Sequence, residues 1–525
     1  MTRRLPALRI SQWNPSPCWT THMRNREPAN PRSALLYVSI VVGAFLRVFH
    51  LGAQSVWGDE ALTFWECAGR ESLAQVLLGI WRDAFHPPLY FTIVYYWCQM
   101  GRSEIMLRLP SAIFGIAAIP LMYLVARRIF AMPAPGITAL VLAIAPFHIW
   151  YSQEARMYSL QVLLALGSML FFLRAWESRR PMDFALYGLF TVLALYTHVT
   201  TLFLVAAQGV FVLGAAARGW RRNILWIGII AAALVAFTPW IVRFMGARMT
   251  PAGVTAIGFG RELSLLHLGY GLYAFSVGCS LGPPVSELHY LSAGDAIRQN
   301  LAAIVASALV FGALAILGLL RAYRENRVGF WLMLSHFSVP LVLTAAASLV
   351  TTVPLNPRYM IIAAIPYWIV IALGVEMCVR SRALRVIPAA GAVLIGLSLY
   401  NHYFQPAYAK QDIRSAAALV SEKADPDDVI VISSIELGGP FAYYFKRRDV
   451  PYVGYPPVAG FVDPDALPGD TEQILYRKKR AWLILGRTWS SDPRGLISAY
   501  FGARYKLVEQ EHFHGVTVSC FSLPR

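Results

Sequence analysis

Residues 224–241 read ILWIGIIAAALVAFTPWI, a run without a single charge, with Arg221 and Arg222 just ahead of it, beyond Asn223. Wound as a helix at 1.5 Å per residue, the run is about 27 Å long, close to the hydrocarbon thickness of a bilayer. A helix at the edge of a water-soluble core keeps a polar stripe, and this one has none. It reads as a membrane span whose start is held on one side by arginines.

The same unit recurs along the chain. Apolar runs lie at 34–51, 109–125, 137–150, 158–173, 184–196 and 202–217, and again at 301–320, 330–350, 361–379 and 386–400. Arginine clusters follow every second run: Arg127 and Arg128; Arg174, Arg179 and Arg180; Arg218, Arg221 and Arg222; Arg321, Arg324 and Arg327; Arg380, Arg382 and Arg385. With a basic tail at 1–33, this alternation predicts about eleven spans in a cytoplasmic (inner) membrane, the amino end cytoplasmic and the carboxyl end outside. The segment 89–100 is apolar but too short to cross, and is expected to lie along the outer interface.

Composition agrees. The chain is 57% hydrophobic and 14% charged, against about a quarter charged in soluble domains. The net charge of +17 sits in clusters between apolar runs, which excludes a nucleic-acid-binding stripe as its cause. Through Ala409 every Lys/Arg position is Arg, and all six lysines follow. That break predicts three parts: a tail at 1–33, an all-α polytopic membrane domain at 34–408, and a small α/β extracytoplasmic domain at 409–525. In the last, 428–434 and 481–485 read as buried strands, and 410–423 and 440–447 as helices. The cysteines have no metal-ligand spacing and read as small buried hydrophobes, with a bridge between outward ones such as Cys67 and Cys98 left open.

The predicted outer loops, about 52–108 and 242–300, and the short outer turns hold the polar groups that could do chemistry. Trp57-Gly-Asp-Glu-Ala61 places two acids beside the membrane, which is costly unless they are solvated or used; Asp59 could equally cap a helix starting at Ala61. His86-Pro-Pro-Leu-Tyr90 is a rigid turn that can start a helix. Ser152-Gln-Glu-Ala-Arg-Met-Tyr158 puts Glu154 and Arg156 at a hairpin tip, where a local ion pair is the plain alternative. His198 stands at another outer turn. Asn356-Pro-Arg-Tyr-Met360 opens a span with Arg358, which could snorkel or grip phosphate. Acids suit deprotonation of a hydroxyl, arginines suit a phosphate leaving group, and apolar helices suit a lipid tail.

The order of these motifs resembles the GT-C membrane glycosyltransferases, and within them the protein O-mannosyltransferase and aminoarabinose-transferase-like group. The resemblance spans about residues 34–400. It implies a polyprenyl-phosphate-linked sugar as donor, a lipid, glycan or protein as acceptor, transfer on the outer (periplasmic) face, and inversion at the anomeric carbon. By position it implies Asp59 as the acid that activates the acceptor, with Glu60 as second candidate. Glu154 matches the acid of the second outer loop, and Arg358 and Tyr359 match the donor-phosphate motif, with Arg156 assisting. His86 matches the position before the proline pair. Some members use a divalent metal, for which Glu154 and His198 are candidate ligands. A transporter or flippase of lipid-linked envelope precursors is the alternative; it would keep its polar groups near the midplane on interrupted helices.

Overall fold

The computed structural model describes residues 34–83, 86–216, 223–248, 265–284, 287–350, 355–457 and 460–524. The predicted basic tail at 1–33, Arg218, Arg221 and Arg222, and part of the second long loop lie outside the described residues. The membrane part is built of α1 (Ala34–Val48), α2 (Gly58–Cys67), α3 (Leu73–Asp83), α4 (Leu89–Trp97), α5 (Glu104–Ile129), α6 (Ala134–Ile144), α7 (Pro146–Ser152), α8 (Tyr158–Ser178), α9 (Pro181–Leu195), α10 (Thr201–Ala216), α11 (Ile224–Arg248), α12 (Leu265–Val277), α13 (Ala293–Gln299), α14 (Leu301–Glu325), α15 (Arg327–Val350), α16 (Ile361–Arg380) and α17 (Val386–Phe404).

Seven of these elements are long and apolar enough to cross a membrane: α5, α8, α11, α14, α15, α16 with the turn before it, and α17. The bent pair α6–α7 makes an eighth, and α1, α9 and α10 are shorter apolar helices. Each predicted span therefore corresponds to one of these helices, and the protein is a multi-pass membrane protein. One departure is the run 137–150, which breaks by 56° between Ile144 and Pro146. Proline cannot continue the hydrogen-bond ladder, so carbonyls at the end of α6 lose their partners. Buried Arg47 of α1 satisfies them: it donates to Leu142 O and Ala143 O, each at 2.9 Å, and contacts His148 Nδ1 at 2.8 Å. A second departure is α12, an apolar helix inside the predicted loop 242–300, held by Trp368 Nε1 donating to Phe275 O at 3.0 Å.

Helix α4 has only nine residues, too few to cross. Span α16 is central, with 89% of it buried, whereas α17 is 11% buried. The α14–α16 crossing is close because glycine meets backbone. A Cβ on Gly318 would overlap the carbonyl of Val370, and one on Gly374 would overlap that of Leu314. At the ends of the bundle where the arginines cluster, Arg128 of α5 pairs with Glu177 of α8 at 2.6 Å.

The carboxyl-terminal part contains α18 (Ile413–Lys423), β1 (Val429–Ile432), α19 (Ile435–Tyr444), β2 (Tyr452–Gly454), α20 (Leu467–Leu475), β3 (Arg480–Gly486), α21 (Thr488–Ser491), α22 (Leu496–Arg504), β4 (Lys506–Phe513) and β5 (Val516–Ser522). The sheet order is β2-β1-β3-β5-β4, parallel across β2, β1 and β3 and antiparallel beyond. Strand β1 is apolar throughout because both faces are covered: Ile430 and Ile432 pack towards α18 and α19, Val429 and Val431 towards α20 and α22. The helix predicted at 440–447 begins earlier, because Ser434 caps it by accepting from Glu436 N at 3.3 Å. Cys67 and Cys98 are buried free thiols.

Candidate functional site

Helix α2 starts at Gly58, three residues ahead of the predicted start, so Asp59 lies in its first turn and is not its cap. Cap duty falls to Glu60, whose Oε2 accepts from Trp57 N at 3.4 Å. The two acids then part company. Glu60 is fully buried and receives both forks of Arg108, Nε to Oε1 and Nη2 to Oε2, each at 2.7 Å. Ala155 N donates to its Oε1 at 3.0 Å and Lys410 Nζ to its Oε2 at 3.2 Å. Burial alone would raise its pKa, but Arg108 and Lys410 outweigh burial and hold it at about 2. Every face of the Glu60 carboxylate, the second candidate acid, is thus occupied by a donor. It anchors the 51–55 loop through Arg108, which also donates to Leu51 O and Gln54 O at 2.9 Å and Ser55 O at 3.0 Å.

Asp59 keeps 29% of its side chain exposed. Its Oδ2 accepts from Arg358 Nη1 at 2.7 Å, and Arg156 Nε stands 3.9 Å from the same oxygen. Burial pushes its pKa up, yet Arg156 and Arg358 pull it down to about 2. Arg156 is itself positioned by Thr63 Oγ1 and Asp59 O, both at 3.3 Å, and by His86 Nε2 at 2.8 Å. That contact requires His86 Nε2 to accept, so the ring is neutral; burial and Arg156 both lower its pKa. Arg358 donates through Nη2 to Tyr359 OH at 3.2 Å and lies over the rings of Tyr359 and Tyr158, 5.1 and 5.9 Å from their centroids.

The predicted local pair of Glu154 with Arg156 does not form. Glu154 instead accepts from Trp150 Nε1 at 2.8 Å, with Lys410 Nζ 3.5 Å away. Burial raises its pKa, Lys410 opposes, and Glu60 and Asp59 add to the rise. Its Oε2 has no hydrogen-bond partner, and the residue lines a small cavity of about 40 Å³ with His50, Gln153, His402 and Lys410. His198 stacks on Tyr359 with ring centroids 6.0 Å apart, and its Nδ1 faces Thr200 Oγ1 at 2.8 Å. Burial, then His86, Arg156 and Arg358, drive its pKa well down.

Among the described residues no three His, Cys, Asp or Glu side chains group as a metal-ligand set. Glu154 faces Lys410, and the other acids are matched by arginines, so a divalent ion does not suit this donor set. Two residues of the cluster escaped sequence reading. Arg108 could have been found as a lone charge inside an apolar run. Lys410 could not, because it comes from beyond the last span. A separate apolar cavity of about 160 Å³ lies between α6, α12, α14, α16 and α17, lined by residues that include Phe275, Phe311, Trp368 and Ile395.

Comparison with known proteins bears on the fold. The sequence model of the family described as dolichyl-phosphate-mannose-protein mannosyltransferase matches residues 85–242, which contain His86, Glu154, Arg156 and His198. The protein YycA of Bacillus subtilis (strain 168), whose given name proposes a mannosyltransferase, is 26% identical over 146 residues; the stretch is 26% of this chain and 21% of that protein. The crystal structure of ArnT from Cupriavidus metallidurans bound to undecaprenyl phosphate superposes with a TM-score of 0.55 at 12% identity, covering 93% of this chain and 98% of ArnT. The fold is that of the GT-C membrane glycosyltransferases. The oligosaccharyltransferase of Archaeoglobus fulgidus, tethered to an acceptor peptide, shares this GT-C fold with a TM-score of 0.53 at 12% identity, covering 92% of this chain and 73% of that one. The resemblance read from the order of motifs is thus borne out in the fold. Within the GT-C fold, Asp59 and Arg358 come from stretches outside the matched family region, and only the folded chain brings them to Arg156.

Proposed function

We propose that this protein is a membrane glycosyltransferase that moves a sugar from a polyprenyl-phosphate-linked donor to a lipid, glycan or protein hydroxyl on the outer face of the cytoplasmic membrane. The observation that carries the reading is a partly exposed carboxylate, Asp59, 2.7 Å from the guanidinium of Arg358 and 3.9 Å from that of Arg156. A base for an acceptor hydroxyl and a cationic seat for a phosphate stand side by side, with Asp59 and Arg358 both partly exposed. The similarity to ArnT, whose structure holds undecaprenyl phosphate, supports a lipid-linked donor. The apolar cavity suits a hydrocarbon chain.

In this reading Asp59 takes the proton of the acceptor hydroxyl as its oxygen attacks the anomeric carbon. The bond from that carbon to the phosphate oxygen breaks on the opposite side, which inverts the centre. Arg358, with Arg156 and Tyr359, holds the departing phosphate. One such donor is worth about 2.7–4 kcal/mol in the transition state. Glu60, Arg108, Lys410 and Glu154 hold the acidic turn in place, and His86 orients Arg156. The arginine clusters at alternate helix ends support an amino end in the cytoplasm and a terminal domain outside.

The test is transfer by the purified protein in detergent from a radiolabelled polyprenyl-phosphate hexose. Asp59→Asn is expected to remain folded and to lose transfer by a factor of about 10³ or more. Turnover like that of the wild type would remove Asp59 as the base.

A further inference from the structure

We propose that Asp59 and Arg358 hold each other in an ion pair, and that the donor phosphate releases the base by taking the arginine. This rests on the glycosyl-transfer reading above. The ion pair uses the two groups that the reaction needs, and uses them on each other: Arg358 Nη1 sits 2.7 Å from Asp59 Oδ2. An aspartate so paired is a poor base, since its pKa is held at about 2. An arginine so paired is half committed. Its Nε is buried without a hydrogen-bond partner, and its face rests on Tyr359 and Tyr158. A flat guanidinium can turn over aromatic faces while keeping that attraction. Both side chains are partly exposed, 29% for Asp59 and 20% for Arg358.

The charges show why the exchange is built in. Glu60 and Glu154 are matched by Arg108 and Lys410. That leaves Asp59 facing two arginines, one positive charge in excess. A donor phosphodiester carries one negative charge and neutralises it. Transfer then moves the acceptor's proton to Asp59, forms the bond from the acceptor oxygen to the anomeric carbon, and leaves the electron pair of the broken bond on the phosphate. The product phosphomonoester carries two negative charges, matched by Arg156 and Arg358, and Asp59 is neutral. One negative charge has passed from Asp59 to the phosphate, and Arg358 follows it. The acceptor hydroxyl therefore meets an effective base only in a site that already holds donor.

The experiment measures binding of undecaprenyl phosphate, the sugar-free lipid, to the full chain in detergent. Asp59→Asn is expected to bind it about tenfold more tightly than the wild type, because Arg358 is no longer occupied. Arg358→Ala is expected to bind it at least about tenfold more weakly, and the double variant no more tightly than Arg358→Ala alone. Unchanged or weaker binding by Asp59→Asn, or a gain that survives without Arg358, overturns the exchange. A cryo-EM structure of the wild type with the lipid phosphate needs no variant. Arg358 should sit on the phosphate and beyond about 4 Å from Asp59; Arg358 still on Asp59 overturns the proposal. The same Asp59→Asn protein separates the two ideas. Lost transfer with unchanged phosphate affinity defeats the exchange alone, retained transfer by Asp59→Asn defeats Asp59 as the base, and no transfer by the wild type defeats the glycosyl-transfer reading.

Discussion

At the scale of single residues, Asp59 and Glu60 are neighbours in different surroundings, one partly exposed and one sealed. Glu60 is sealed in a forked pair with Arg108, where removing one partner strands a buried charge. Glu60→Gln is expected to cost about 3–5 kcal/mol of stability at neutral pH. The pH dependence has a definite sign. Glu60 has its pKa lowered from 4.5 to about 2 in the folded protein. Its contribution is complete above the unfolded value and is lost as pH falls through the folded one. The gap between variant and wild-type thermal midpoints should narrow from pH 4.5 towards pH 2, which melting curves in detergent across that range would check. Sequence reading found both acids and could not divide their roles. The deciding partners, Arg108 and Lys410, stand 48 and 350 positions away.

At the scale of elements, the spans were legible because a bilayer demands long uncharged helices. Which helix faces lipid was not legible, since lipid and protein interior are equally apolar. Span α16 is enclosed and α17 is peripheral, although both read as uniform apolar runs. Small residues make the difference: Gly318 and Gly374 let two backbones touch. Gly318→Val is expected to cost at least about 1–3 kcal/mol and to lower the yield of folded protein. Gly312→Val in the same helix, where a Cβ meets nothing within 4 Å, should be close to neutral. Thermal midpoints of the two variants would show the contrast. The break in 137–150 was equally hidden. Pro146 signals a kink, but only the distant Arg47 makes the opened carbonyls tolerable inside an apolar bundle.

At the scale of the whole molecule, the terminal α/β part is tied into the membrane part. Arg414 donates to Gly52 O at 2.9 Å and pairs with Glu104 at 2.9 Å. Tyr444 OH accepts from Val56 N at 2.8 Å, and Trp65 Nε1 donates to Gly439 O at 3.1 Å. These contacts brace the loop and helix that carry Asp59. Lys410 goes further and stands between Glu60 and Glu154. Lys410→Ala is expected to lower the transfer rate by about tenfold or more, with Lys410→Arg recovering part of it. A chain ending at Tyr408 keeps every site residue named from sequence and should still fall below about a hundredth of the wild-type rate. Single-turnover transfer with saturating donor measures both.

The sequence by itself determined that this chain crosses a membrane many times, because hydrocarbon excludes charge and the arginines mark every second turn. It also placed Asp59, His86, Glu154, Arg156, His198 and Arg358 in short polar segments between spans, and their order pointed to the GT-C fold. Tertiary structure alone decided which of these side chains meet. Whether a carboxylate is sealed or partly exposed depends on which groups reach it, and in this protein those groups arrive from segments far apart in the chain. A local pattern can say that a charge is costly where it stands; only packing says what answers it.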